Sequence, residues 1–396
     1  MTVSRPWPSR PALGVIVLAF VLRIAGVMLT VLRINPYSLR DATTFRRTAA
    51  TIASGFVRGQ IVVDPLFRTS INPVDIISLW GLALSPFWLL PGPSDLYARV
   101  TIALFGTLAV YNICTIGQYY GPPQAAVLAG LPVAVFPSFV LIHATALREA
   151  VILAGITTAV RIGLRLEART RSQRGKEQIP STRTLIGTAV VALAGAALLR
   201  WDNTLVYVLA LVAGGGIYVF HHHRDRIGAL TAFGAAIAAL SSGLVALAAS
   251  GPAVGYLSEL RGYRTRGEAV YLAGVEAATV PEALAFASVG AVYFLFSPFP
   301  WMVDDPAAVV AAFEGLGNLA FALAAPWGVR HIVSSRQPIA GLTALLVGFF
   351  AAVAFYGLVE GNVGAAVRHR QMFVWVLYVL GGAGIANRIR IKATPL

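Results

Sequence analysis

The sequence predicts an all-α polytopic membrane protein with about 10 spanning helices, and three observations carry this prediction. The chain has 396 residues, of which 57% are hydrophobic and only 12% are charged, whereas a soluble domain carries about 25% charged residues. Apolar runs of roughly 20 residues, each long enough to cross about 30 Å of hydrocarbon, recur from end to end. The short loops between several of these runs are basic, as cytoplasmic loops are.

The first apolar run, near 12–32, is too long for a signal peptide and lacks a small-residue cleavage pattern, so we expect a retained helix. No soluble domain and no tandem repeat is evident, so we expect a single membrane domain over residues 1–396. The later runs lie near 74–91, 97–117, 124–143, 147–165, 184–200, 204–220, 227–249, 284–301, 306–328, 338–358 and 371–387.

Loop charge decides which runs cross the membrane. The loop at 165–183 is strongly basic and should be cytoplasmic. It would lie outside if every run crossed from a cytoplasmic N-terminus. Prolines interrupt the runs at 74–91 and 284–301, so both are interpreted as juxtamembrane or re-entrant helices. The prediction is a multi-pass protein of the plasma (inner) membrane with both termini cytoplasmic, a first outer loop at 33–96 and a second at 250–305.

Charge and cysteine content exclude several classes of protein. The net charge of +14 is concentrated in short loops and tails, where positive-inside retention accounts for it, so we expect no nucleic-acid partner. Cys114 is the only cysteine, which excludes disulfides and cysteine-rich metal sites. The chain has no Walker, HExxH, GxSxG or dinucleotide motif. It also lacks a DxD metal-binding motif, so a soluble nucleotide-sugar donor is not favoured.

The candidate site consists of charged residues at the edges of apolar runs. Charge there is costly, and the stretch Glu360–Arg370 places an acid, two arginines and a histidine between two such runs. In the predicted topology these residues share the outer face with other polar residues. Guanidinium groups bind phosphate oxygens with two hydrogen bonds, and a nearby carboxylate can accept a proton from a hydroxyl. The residues assigned to this face are Arg40, Asp41, Arg148, Glu149, Arg200, Asp202, Asn362, Arg368, His369 and Arg370.

Two questions stay open about the arginines, one for those at helix ends and one for Arg23. An arginine at a helix end can simply extend its charge toward lipid headgroups, so that membrane lipids are its only partners. Arg23, midway along the first run, is unusual in another way, since it lies deep in apolar sequence. It faces either a cavity or a partner acid.

A series of short motifs follows in order along the chain. The most specific are the last two, Tyr293–Trp301 and Gly361-Asn362-Val363-Gly364 with Arg368-His369-Arg370. Together the motifs resemble the C-type (GT-C) superfamily of integral membrane glycosyltransferases, including its polysaccharide-cluster members and related oligosaccharide polymerases. The earlier motifs are Asp41-Ala42-Thr43-Thr44-Phe45 with Ile52-Ala53-Ser54-Gly55, Pro91–Arg99, Phe136-Pro137 with Leu147-Arg148-Glu149, and Leu199-Arg200 followed by Thr204.

The resemblance implies transfer of a sugar from a polyprenyl-phosphate or polyprenyl-diphosphate carrier to a glycan or protein acceptor on the outer face. The family's catalytic acid in the first outer loop falls on Asp41, which we expect to act as general base, with Glu149 as a second candidate. The arginines Arg148, Arg200, Arg368 and Arg370 would hold the departing phosphate. Arg40, Asp202, Asn362 and His369 complete the expected substrate-binding set. No metal ligands are assigned, although a divalent metal is left open.

Departures from the family pattern keep two other functions open. Many members carry a second loop acid, for which Asp64 and Asp75 are candidates here, and a large soluble C-terminal domain that this sequence lacks. The choice between a transferase and a polymerase or ligase of lipid-linked oligosaccharides therefore stays open. A lipid-linked sugar transporter or flippase would be expected to show inverted repeats with helices broken in mid-membrane. The proline breaks lie at outer edges instead, which disfavours a transporter.

Overall fold

The computed structural model describes residues 8–37, 40–60, 76–171, 181–222, 251–265, 269–275, 279–303, 305–335, 337 and 339–388. Within these ranges the regular elements are α-helices and two short 3₁₀ turns, Trp201–Asn203 and Pro300–Met302. The β-pairing found there is an isolated antiparallel bridge between Val270 and Asn362. The all-α prediction is confirmed.

The described ranges contain the following α-helices in chain order. They are α1 Arg10–Val31, α2 Arg40–Val57, α3 Ile76–Leu84, α4 Pro86–Leu89, α5 Ser94–Tyr120, α6 Pro123–Val135, α7 Pro137–Ile142, α8 Glu149–Arg171, α9 Thr182–Leu199, α10 Thr204–His222, α11 Gly251–Arg264, α12 Val280–Phe296, α13 Pro306–Ser334, α14 Ala340–Val359, α15 Val363–Arg370 and α16 Trp375–Arg388.

Six described helices are long and apolar enough to cross a membrane, namely α1, α5, α9, α10, α13 and α14. The chain is therefore a membrane protein. The predicted run at 227–249 lies outside the described residues. The run at 74–91 forms two helices of 9 and 4 residues that meet at Ser85 and Pro86. At 1.5 Å per residue the longer one is about 14 Å, roughly half the hydrocarbon thickness.

Helix α16 forms the centre of the bundle. Its residues from Trp375 to Gly384 are all buried, and it packs against α13, α6 and α5. Glycine permits the closest approach: a Cβ at Gly328 of α13 would lie 1.9 Å from the carbonyl oxygen of Leu380. Small residues bring membrane helices close in this way, so α13 and α16 pack backbone against backbone.

Contacts between helix ends show which ends lie together. The Glu167 carboxylate near the end of α8 accepts hydrogen bonds from the amides of Ala340 and Gly341 at the start of α14. A carboxylate is favourable at a helix N-terminus because the unpaired amides there carry partial positive charge. The start of α8 and the end of α14 therefore lie together at the opposite end of the bundle, which we call the site end.

Arg23 pairs with carbonyl oxygens rather than with an acid. It is fully buried, and its Nη2 donates to the carbonyl oxygen of Val133 at 2.9 Å. That oxygen would normally accept from the amide four residues later, but Pro137 has no N–H. Arg23 thus replaces the donor that the proline removes at the α6–α7 break. The ring of His143 lies beside it, with Nδ1 3.4 Å from Nη2.

Candidate functional site

Arg200 is the centre of a polar cluster at the site end of the bundle. It is buried and lies where α9 ends and the 3₁₀ turn Trp201–Asn203 begins. Its Nη2 lies 2.6 Å from Nε2 of His369, and its Nε donates to the hydroxyl of Tyr356 at 3.1 Å. Asp202 and Glu149 lie 3.4 Å and 3.9 Å from the guanidinium. One arginine thus joins the ends of α8, α9, α14 and α15.

His369 connects Arg200 to a buried acid. Its Nδ1 lies 2.6 Å from Oε2 of Glu360. Because arginine can only donate, Nε2 must be the acceptor, which places the ring proton on Nδ1 and directs it to Glu360. Burial, together with the nearby arginines, holds the pKa of His369 well below its ordinary value. The ring is therefore neutral, and burial also raises the pKa of Glu360.

Arg264, in the last turn of α11, completes the buried side of the cluster. Its Nη2 donates to Oδ2 of Asp202 at 2.8 Å, and its Nη1 lies 3.5 Å from Oε2 of Glu360. One turn earlier, Arg261 donates to the carbonyl oxygen of Glu360 at 2.8 Å. Helix α11 is therefore attached directly to the stretch that begins at Glu360.

The exposed side of the cluster is formed by α2. Nη1 of Arg368 donates to Oδ2 of Asp41 at 2.7 Å, and the Asp41 side chain is 54% exposed. The guanidinium of Arg148 lies 5.8 Å from the centre of the Phe45 ring. Its Nη1 is buried and finds no hydrogen-bond partner among the described residues. Burial lowers the pKa of Arg148 to about 10, so the group remains charged at neutral pH.

Charge is distributed unevenly across this cluster. Arg200 and Arg264 each lie within 4 Å of two carboxylates on the buried side. Among the described residues, Nη1 of Arg148 and Nε of Arg368, toward α2, are buried without a hydrogen-bond acceptor. Nη1 of Arg264 also lacks a hydrogen bond to any described residue, but it has the Glu360 carboxylate at 3.5 Å. A buried donor that lacks a partner costs about 1–3 kcal/mol. An anion that enters beside Asp41 would therefore find unused donors from Arg148 and Arg368.

The structure brings together seven of the ten residues that the sequence assigned to the site: Asp41, Arg148, Glu149, Arg200, Asp202, Arg368 and His369.

Two of the other assigned residues, Arg370 and Asn362, make contacts outside the cluster. Arg370 lies on the other side of α15, and its Nη1 donates to the carbonyl oxygens of Leu295 and Ser297 at the C-terminal end of α12. Asn362 caps α15, where its Oδ1 accepts from the amide of Ala365 at 3.1 Å. These contacts account for both side chains as parts of the fold.

The side chain of Arg40, the tenth assigned residue, lies outside what the structure describes. The candidate second acids Asp64 and Asp75 also lie outside the described residues.

Sequence reasoning missed several members of the cluster. Tyr356 lies within an apolar run and gave no signal, yet its hydroxyl donates to Oδ1 of Asn203 at 2.7 Å. Glu360 was evident as an acid at the edge of an apolar run but was given no role. Arg264 was evident as an arginine of the predicted second outer loop but was not assigned to the site. Their involvement depends on how α11, α14 and the 3₁₀ turn pack together.

In the described part of the chain, no group of three or more His, Cys, Asp or Glu side chains is placed to hold a metal ion. The cluster is instead a network of arginines and carboxylates, with one exposed acid at its edge. Comparison of the chain with protein-family models, with curated proteins and with solved structures finds no match.

Proposed function

We propose that this chain is an inverting membrane glycosyltransferase of the C type. It moves a sugar from a polyprenyl-phosphate or polyprenyl-diphosphate carrier to an acceptor hydroxyl. The observation that carries the proposal is the contact between Asp41 and Arg368 beside the unpartnered N–H of Arg148. This arrangement sets one accessible carboxylate next to cationic donors, and the reaction needs both. The order of the sequence motifs supports the same function.

In the proposed reaction Asp41 is the general base. Its carboxylate accepts the proton of the acceptor hydroxyl while the oxygen attacks the anomeric carbon of the sugar. The bond from that carbon to the phosphate oxygen breaks, and its electron pair leaves with the lipid phosphate. Asp41 suits this role because Glu149 and Glu360 are buried, at 3% and 0% exposure. An acceptor can reach Asp41 from solvent.

Arg148 and Arg368 are proposed to hold the departing phosphate. Donors fixed in advance stabilise charge that grows in the transition state, because they need not reorganise during the reaction. Arg200, Arg264 and His369 are proposed to position them, since their own hydrogen-bonding groups are directed at Asp202 and Glu360. Arg370 is left out of the phosphate site, because it lies on the side of α15 away from Asp41, where its Nη1 donates to the carbonyl oxygens of Leu295 and Ser297.

The proposed topology places this site on the extracytoplasmic face of the plasma membrane. It has about ten spanning helices, both termini in the cytoplasm, and outer loops at 33–96 and 250–305. The basic 165–183 segment connects α8 to α9 at the end opposite Arg200, which supports the orientation. Lipid-linked sugars displayed on the outer leaflet would then reach Asp41.

The proposal is tested by reconstituting the purified chain into vesicles with a panel of polyprenyl-phosphate-linked and polyprenyl-diphosphate-linked sugars. The expected result is release of the polyprenyl phosphate or diphosphate together with a glycosylated acceptor. Products extended by a single sugar identify a transferase, and a ladder of repeat units identifies a polymerase. Movement of the intact lipid-linked sugar across the bilayer, without cleavage of any donor, would overturn the proposal in favour of a transporter.

A further inference from the structure

A second group of arginines lies on the side of α2 that faces away from Asp41. Thr43, Arg46, Arg47 and Ala50 recur at three-residue and four-residue spacing, which places them on one face of the helix. Trp88 from α4 closes the space between the two helices. The resulting pocket has a volume of about 330 Å³. The buried side chains of α2, such as Phe45 and Ala49, are on a different face and pack into the bundle.

The pocket carries an excess of positive charge. Arg46 and Arg99 share one carboxylate, with their Nε atoms 2.6 Å and 2.9 Å from the two oxygens of Asp95. Arg47 is exposed and has no hydrogen bond or ion pair with any described residue. Two guanidinium groups therefore share one carboxylate, and the guanidinium of Arg47 has none among the described residues. Asp95 orients Arg46, Arg47 is left available, and an anion is the ligand that this arrangement fits.

The surroundings of the pocket favour an anion that belongs to a lipid. Trp88 is followed by Leu89 and Leu90, which are 48% and 52% exposed although they are large and apolar. These residues lie where the short helix α4 leads into the spanning helix α5. Tryptophan is typical of the membrane–water interface. A phosphate in the pocket would therefore be attached to chains that run along the apolar surface beside it.

We propose that the α2–α4 pocket is a lipid-phosphate site, distinct from the Asp41 cluster, in which Arg46 and Arg47 bind the phosphate and Trp88 contacts the lipid. The inference goes beyond the proposed function, because binding here requires no sugar transfer. The same headgroup chemistry is offered by an anionic phospholipid and by an isoprenoid phosphate, and the experiment separates them.

The test is native mass spectrometry of the purified full chain with three lipids: phosphatidylglycerol, phosphatidylcholine and undecaprenyl phosphate. We expect the wild type to bind phosphatidylglycerol or undecaprenyl phosphate in preference to phosphatidylcholine. Arg47→Gln should weaken that binding about tenfold or more, the effect of losing one charge-assisted hydrogen bond. Ala50→Phe should do the same by filling the pocket while keeping its charge. Loss confined to one lipid identifies that lipid as the ligand.

The matched control is Arg58→Gln, since Arg58 is an exposed arginine that directly follows α2 and lies outside the pocket. It should bind all three lipids like the wild type. Asp41→Asn should retain the Arg47-dependent binding, so that a failed catalytic assignment and a failed lipid site give different results. Equal binding by the Arg47→Gln and Arg58→Gln variants would overturn the proposal. Equally tight binding of inorganic phosphate would overturn its assignment to a lipid.

Discussion

Arg368 donates a hydrogen bond from Nη1 to Oδ2 of Asp41 at 2.7 Å, although the two residues are 327 positions apart in the chain. The contact joins the start of α2 to the short helix α15, which precedes α16. The Asp41 side chain is 54% exposed, while the Arg368 side chain is only 17% exposed. An acid at the surface is thereby held against a largely covered cation on the helix that also carries His369.

Replacing Arg368 with Gln should separate activity from stability. A partly exposed ion pair contributes about 0–1 kcal/mol to folding, so the thermal midpoint should be nearly unchanged. The rate of sugar transfer should fall about 100-fold or more, the usual effect of removing a donor that stabilises transition-state charge. Arg330→Gln, at an exposed arginine on α13, is the control and should transfer at the wild-type rate. An Arg368→Gln variant as active as this control would contradict the proposed phosphate-binding role.

Replacing Arg200 should instead destabilise the fold. Removing one partner of a buried ion pair costs about 3–5 kcal/mol, because the other charge is left uncompensated. Here Arg200→Gln would leave Glu149 and part of the Asp202 charge without a close cation. Arg200→Lys should not restore stability, since an ammonium cannot bond to Tyr356, His369 and both acids in one plane.

Thermal unfolding in detergent, followed by circular dichroism, measures these changes. Arg183→Gln, at an exposed arginine at the other end of α9, should unfold at the wild-type temperature. A midpoint for Arg200→Gln equal to that of the Arg183→Gln control would be inconsistent with the network.

Stability should depend on pH through His369. In the folded chain the pKa of His369 lies below its ordinary value of about 6.5. As the pH falls, His369 therefore becomes protonated in the unfolded chain before it does in the folded chain. The neutral His369 ring therefore makes its full contribution to the free energy of unfolding at about pH 7.5, and this contribution decreases toward about pH 5.5. The raised pKa of Glu360 acts in the opposite direction, because the folded chain then binds its proton more readily.

His369→Gln isolates the contribution of the ring. The amide can still accept from Arg200 and donate to Glu360, but it does not titrate. The thermal midpoint of the wild type should therefore fall more between these two pH values than that of the variant. Parallel curves would show that His369 does not carry the pH dependence.

The proposed orientation can be tested with introduced cysteines. Cys114 is fully buried, so a membrane-impermeant maleimide should not label the wild type in intact cells. Thr51→Cys on α2 should be labelled in intact cells, because this exposed position lies in the proposed outer loop. Ser335→Cys, exposed at the end of α13, should be labelled only after permeabilisation. The reverse pattern would place the Asp41 cluster in the cytoplasm.

Helix positions were largely predictable because apolar length and proline positions determine them. The run at 97–117 became α5, Ser94–Tyr120, and the run at 338–358 became α14, Ala340–Val359. The proximity of Arg200 and His369 was also predictable, because the predicted topology places the end of α9 and the end of α15 on the same face of the membrane. These features depend on hydrophobicity and on alternation across the membrane.

The pairing within the cluster was not predictable. Residues two apart on a helix point to nearly opposite sides, so Arg368 contacts Asp41 while Arg370 turns to the carbonyl oxygen of Leu295. That division could be seen only once 363–370 was known to be helical. The contact of Arg264 with Glu360 needs the docking of α11 onto the end of α14, which no local pattern specifies.

The most direct test of the account is sugar transfer by Asp41→Asn in reconstituted vesicles, with polyprenyl-phosphate binding measured on the same preparation. Asparagine keeps the shape of the side chain and cannot take the acceptor proton. We expect transfer to fall about 100-fold or more, as when a general base is removed, while the lipid still binds through Arg148 and Arg368. Glu259→Gln, at an exposed acid on α11, should transfer normally. Full turnover by the Asp41→Asn variant would contradict the central claim.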